Sequence, residues 1–109
     1  MSYEENITVK QNDYGYDIQG QITDADGKVV PLTGATLKLI VAEPGQSPVY
    51  SGAAEVLNAA QGEWKWTVPE GTFTEANKTY EVEVELVYAS KTVTADGAKI
   101  FVKGELKES

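Results

Sequence analysis

The 109-residue chain contains no cysteine and no histidine. Without cysteine there is no disulfide framework, no thiolate nucleophile and no zinc–thiolate site. Without histidine the usual general base near neutral pH and the commonest metal ligand are both missing. No apolar run approaches the roughly 20 residues that a membrane-spanning helix needs. The opening residues, MSYEENITV, lack the apolar stretch of a signal peptide. The sequence therefore predicts a soluble protein made in a cytoplasm. Positive charge is scarce as well: 9 Lys and Arg stand against 17 Asp and Glu, for a net charge of −8. Such a surface repels phosphates and anionic headgroups, so neither nucleic acid nor a membrane is an expected partner. The simplest meaning of the acidity is solubility.

What is present is a run of short alternating segments. The clearest is Thr79 to Ala89, TYEVEVELVYA. Tyr80, Val82, Val84, Leu86 and Tyr88 occupy every second position, with Glu81, Glu83 and Glu85 between them. This is the period of a β-strand with one dry face and one wet face. Ile7 and Val9 suggest a first strand, broken by Asn12, Asp13 and Gly15. Tyr16, Ile18 and Ile22 form a second, with Gly20 as a bulge or a close-packing point. Asp24-Ala25-Asp26-Gly27 reads as a turn in which Gly27 takes positive φ and the aspartates bond nearby backbone. After the Thr33-Gly34 turn, Ala35, Leu37, Leu39 and Val41 form another strand. Residues 43–48, EPGQSP, are a turn-rich loop, and Val49-Tyr50 opens a short strand. The run AAEVLNAA, 53–60, is the one place for a helical turn, although a short strand and a loop suit it better in a sheet protein. GEWKWTV then puts Trp64, Trp66 and Val68 on one face, and Pro69-Glu70-Gly71 turns the chain. Val93 marks a short strand, and Asp96-Gly97 is a hairpin-turn signal. Ala98, Ile100 and Val102 close the pattern on one face, with Phe101 on the other.

About seven or eight strands, with turn signals every 8 to 12 residues or so, predict an all-β fold: a single antiparallel β-sandwich of immunoglobulin-like architecture. One domain fills residues 1–109, with its core over about 6–104 and frayed ends. A small barrel is the alternative.

Residues that could carry chemistry have plainer structural roles. Asp24 to Gly27 resembles the start of a calcium loop, but Val29 and Val30 follow and no closing bidentate Glu is in place. The glutamate stripe at 81, 83 and 85 reads as a solvated strand face, paired across strands with Lys99 and Lys103. Trp64 and Trp66 would make a sugar-stacking or protein-binding platform if exposed. Their shared parity with Val68 favours the core instead, alongside Tyr80 and Tyr88. Tyr3, Tyr14, Tyr16 and Phe101 are candidates for an exposed aromatic interface. No nucleophile elbow, glycine-rich phosphate loop or Ser-x-x-Lys motif appears, so no catalytic, cofactor or metal residues are assigned and a non-enzyme is expected.

The order of features carries a resemblance. Ile7 to Asp13, ITVKQND, is followed by the Asp24–Gly27 turn, then by VPLTGATL from Val30 to Leu37. Gly62-Glu63-Trp64, the strand from Tyr80, and Asp96-Gly97 before Lys99 to Val102 complete the series. From about Ile7 to Val102 the chain resembles the N-terminal domain of the phage baseplate upper protein family of tailed phages and prophages of Gram-positive bacteria. Residues 43–60 match no part of that pattern. The resemblance implies a β-sandwich that docks a receptor-binding or fibre module onto the tail baseplate of a virion. Its partners would be other tail and baseplate proteins, or further copies of itself. It implies no catalysis and transfers no set of functional residues. The alternative is an immunoglobulin-like adhesion or carbohydrate-binding module of a bacterial surface protein.

Overall fold

The computed structural model describes residues 6–105, so Tyr3 lies outside the described residues. Seven strands follow one another: β1 Asn6–Lys10, β2 Asp17–Gln21, β3 Thr36–Ala42, β4 Tyr50–Asn58, β5 Glu63–Thr67, β6 Lys78–Val87 and β7 Thr92–Lys103. A single 3-10 turn, Ala59–Gln61, separates β4 from β5. The all-β class expected from the alternation is therefore the fold of the chain.

The strands hydrogen-bond in the order β1-β7-β6-β3-β4-β5-β2, as one seven-stranded sheet. This corrects the expectation of an antiparallel sandwich in two respects. First, β1 runs parallel to β7, so the sheet is mixed. Second, pairing passes without a break from one half of the molecule to the other, and β4 is the reason. Its first residues, Tyr50 to Ala54, pair with β3. Its later residues, Glu55, Val56 and Asn58, pair with β5, with a bulge at Leu57. The nine-residue β4 is long enough to serve two neighbours in succession, so the ladder is handed over instead of ending.

The sheet curls into a half-barrel. Val9 of β1 and Ile18 of β2 stand at opposite ends of the ladder and belong to one core cluster. Leu39, Val41, Val84, Leu86, Ile100 and Val102 fill its centre, and Ile22, Leu32, Val68 and Phe73 close it from the connecting segments. Period-2 alternation puts residues inward in β3, β5 and β6, whereas β4 loses it past Ala54 and β7 shifts it by one residue at a bulge. Burying apolar area of this kind supplies most of the folding free energy, at about 25 cal/mol per Å². An aromatic series runs through the core. Tyr50 and Trp66 have ring centroids 4.7 Å apart, Trp66 meets Phe73 edge-on at 6.1 Å, and Phe73 lies 5.4 Å from Tyr80. These separations are within the favourable range for ring pairs.

Local chemistry explains most of the turns. Asp24 Oδ1 accepts from the backbone N–H of Asp26 at 2.9 Å and of Lys28 at 3.0 Å, and Gly27 takes φ +81°. The expected hairpin at Asp96-Gly97 is not formed. The chain reverses instead at Tyr88 to Lys91, where Tyr88 N–H donates to the Lys91 carbonyl at 2.8 Å. Asp96 and Gly97 lie inside the twelve-residue β7. A bulge lets the strand pass: Glu81 faces Lys99 but Glu83 faces Asp96, so β7 spends one extra residue there. Nine registered positions with β6 outweigh the local turn preference of an Asp-Gly pair.

Candidate interaction surfaces

The ends of the ladder supply the most accessible backbone. Among the described residues, β1 pairs only with β7, and β2 only with β5. Each therefore presents one row of N–H and C=O groups that another strand could engage. β2 is tied down by its side chains: the Thr67 hydroxyl donates to the Asp17 carboxylate, and Gln21 Nε2 donates to the Gln61 carbonyl at 2.9 Å. Lys10 and Lys103 are directly opposite each other at the β1 end. Like charges in that position oppose close approach of further cations and favour an acidic neighbour.

The described aromatic candidates differ in exposure. Tyr14 is 55% exposed, on the connection between β1 and β2. Phe101 is 39% exposed on the outward face of β7, opposite Thr8. Tyr16 is half-buried and packs against the core with its hydroxyl enclosed. Burial, and secondarily the carboxylate of Asp13, push that hydroxyl's pKa up. Among the described candidates, Tyr14 and Phe101 are thus exposed and Tyr16 is half-buried.

Trp64 and Trp66 are 1% and 3% exposed, so they offer no stacking platform to a sugar. Their indole Nε1 atoms and the Tyr16 hydroxyl are enclosed without a hydrogen-bond partner. Tyr80 is buried in the same core. Its pKa is raised by burial first and then by Glu43 and Glu75, against an opposing effect of Lys78. Tyr88 sits just beyond the end of β6, half-buried, and donates to the Pro31 carbonyl at 2.9 Å.

The outward face of β6 carries the glutamates as expected. Glu81 stands opposite Lys99 and Glu85 opposite Lys38. The ion pairs among the described residues lie elsewhere: Lys65–Glu55 at 3.5 Å, Lys78–Glu43 at 3.6 Å and Lys78–Glu75 at 3.7 Å. All are partly solvated and contribute little, on the order of 0–1 kcal/mol each. Glu81 and Glu83 also border a shallow groove of about 320 Å³ beneath the 43–48 loop, floored by Ile40 and Ala42. Among the described residues no group of three or more carboxylates is arranged to hold a metal ion. Asp24, the best candidate by sequence, already uses an oxygen on backbone amides. No helix of the described residues is long and apolar enough to cross a membrane.

One surface was not anticipated from the sequence. Val56 and Leu57 are 40% and 47% exposed where β4 passes from β3 to β5. At that handover each half of β4 is paired on one side only. The available signal was two adjacent apolar residues within a run that does not alternate.

No protein-family model matches this chain, and no curated protein matches it.

Proposed function

We propose that this chain is a non-catalytic, protein-binding domain of a phage or prophage tail baseplate, docking a receptor-binding or fibre module. The reading rests on the resemblance carried by Ile7–Asp13, Asp24–Gly27, Val30–Leu37 and Lys99–Val102. One structural observation supports it above the others: a single continuous sheet ends in β1 and β2, each paired on one side only among the described residues. A scaffold of that kind recruits partners by strand addition, with exposed side chains such as Phe101 and Tyr14 giving selectivity. Its interior is filled by Trp64, Trp66 and Phe73, so recognition belongs to edges and outer faces.

The test is co-purification with tail and baseplate proteins encoded at the same locus. The chain is expected to retain one of them. Thr8→Pro, which alters the free edge of β1, and Phe101→Ala are expected to weaken retention at least about tenfold, the size of a modest hot spot. Retention of none of these proteins would sink the baseplate reading. Retention unchanged in both variants would sink the assignment to the β1–β7 end.

A further inference from the structure

We propose that the domain bears tension, and that the ladder between its first and last strands resists load applied through its two ends. The proposal rests on strand order and register and is independent of the docking reading. β1 and β7 run in the same direction, with Asn6 level with Lys99 and Lys10 level with Lys103. Force entering at Asn6 and leaving at Lys103 therefore pulls on opposite ends of the paired segment. Those points are about 13 Å apart along the strands and about 4.8 Å apart across them, from standard strand dimensions. The pull thus lies within roughly 20° of the strand direction. The ladder's hydrogen bonds run across that direction and must fail together. Had β1 been antiparallel, Asn6 would sit beside Lys103, and the same pull would open the bonds one at a time.

The surroundings reinforce this geometry. Gln11 N–H donates to the Lys103 carbonyl at 2.8 Å, extending the ladder past Lys10. Ile7 and Val9 pack inward opposite Ile100 and Val102, both fully buried. Sliding β1 past β7 would drag those side chains through a close-packed interior. β7 cannot follow β1, because its other flank is paired with β6 from Thr92 to Val102. The load path therefore ends on the β1–β7 ladder.

Single-molecule force spectroscopy tests this on one ladder in two directions. In the first, tandem copies of the chain are pulled end to end. In the second, a handle is attached at Asp13→Cys and force is applied between it and the C-terminal end. Asp13 is exposed just past β1, and the absence of native cysteine makes the attachment unique. That geometry separates neighbouring ends and unzips the same bonds. Chemical denaturation first checks that Asp13→Cys keeps wild-type stability; Tyr14→Cys gives an equivalent handle if it does not. The end-to-end unfolding force is expected to exceed the unzipping force by about twofold or more, since forced unfolding follows the barrier along the pulled direction. A smaller ratio overturns the proposal.

Discussion

Gly20 is the position where a single methyl group should be felt most clearly. It stands opposite Trp64 in the β2–β5 register. A Cβ built on Gly20 would lie 2.6, 2.7 and 2.8 Å from Cζ2, Cε2 and Nε1 of the Trp64 indole. Carbon atoms in favourable contact are about 3.5–4.0 Å apart, so the ring would have to retreat by roughly 1 Å. Trp64 is 1% exposed, and protein interiors are close-packed. Overpacking of this kind costs about 1–3 kcal/mol. Against it, replacing glycine by alanine restricts the unfolded chain and contributes about 0.4–1 kcal/mol of stability. The expected net effect of Gly20→Ala is a loss of about 1–2 kcal/mol, or roughly 4–8 °C in Tm. Guanidinium denaturation followed by tryptophan fluorescence would measure it, with thermal melting by circular dichroism as a second readout. Gly52→Ala is the comparison, because there a Cβ meets the far end of the Tyr50 side chain, Oη at 2.9 Å, Cζ at 3.2 Å and Cε2 at 3.6 Å, so its closest approach is looser than at Gly20. Its loss should be smaller. Gly20→Ala should also cost less in a Trp64→Phe background, where the smaller ring leaves room. A Gly20→Ala variant as stable as the parent would refute the close approach of Trp64 to the β2 backbone.

Two further outcomes follow from the turns and the buried hydroxyls. Asp24→Ala removes the acceptor for two backbone N–H groups and should cost about 1 kcal/mol in urea denaturation, while Asp24→Asn keeps the acceptor and stays within about 0.5 kcal/mol of wild type; equal losses would contradict the turn assignment. Tyr16 and Tyr80 have folded pKa values raised above the ordinary 10.0, chiefly by burial. The protonated hydroxyl is thus the form the fold favours, so their contribution is complete below the unfolded pKa and declines as pH rises through the folded value. Denaturation midpoints should fall above about pH 10, and less steeply in Tyr80→Phe; an identical slope in that variant would remove Tyr80 as a cause.

Which faces are dry was legible in the sequence, because period-2 alternation is a local property. Tyr80, Val82, Val84 and Leu86 are all buried, and so are Trp64, Trp66 and Val68. Turns with their own chemistry were legible too, as at Asp24–Gly27 and Thr33-Gly34. Strand partners were not. Nothing in Ile7 or Val9 specifies that β1 pairs in parallel with a strand some ninety residues later, since alternation fixes a face and not a neighbour. The length of β4 was hidden because AAEVLNAA, between helix-favouring alanines, has no alternating signature. The Asp96-Gly97 pair misled for the opposite reason: its turn preference is real locally but is overridden by β6 running alongside. Of the aromatic set, Tyr16 shares the parity of Ile18 and Ile22 and packs against the core with them, whereas Tyr14 lies on the connection between β1 and β2.

The bulge in β7 bears on how this chain can change length. Val93 and Ala95 lie inward at odd positions before it, and Ala98, Ile100 and Val102 inward at even positions after it. Losing the one supernumerary residue would turn these into an unbroken alternating series, with both faces of the strand preserved. A one-residue insertion or deletion elsewhere in β6 or β7 would invert a face; at this point it is absorbed. Relatives of this chain can therefore differ by one residue at the Asp96-Gly97 position while keeping the same core, and an ungapped comparison would lose its register there.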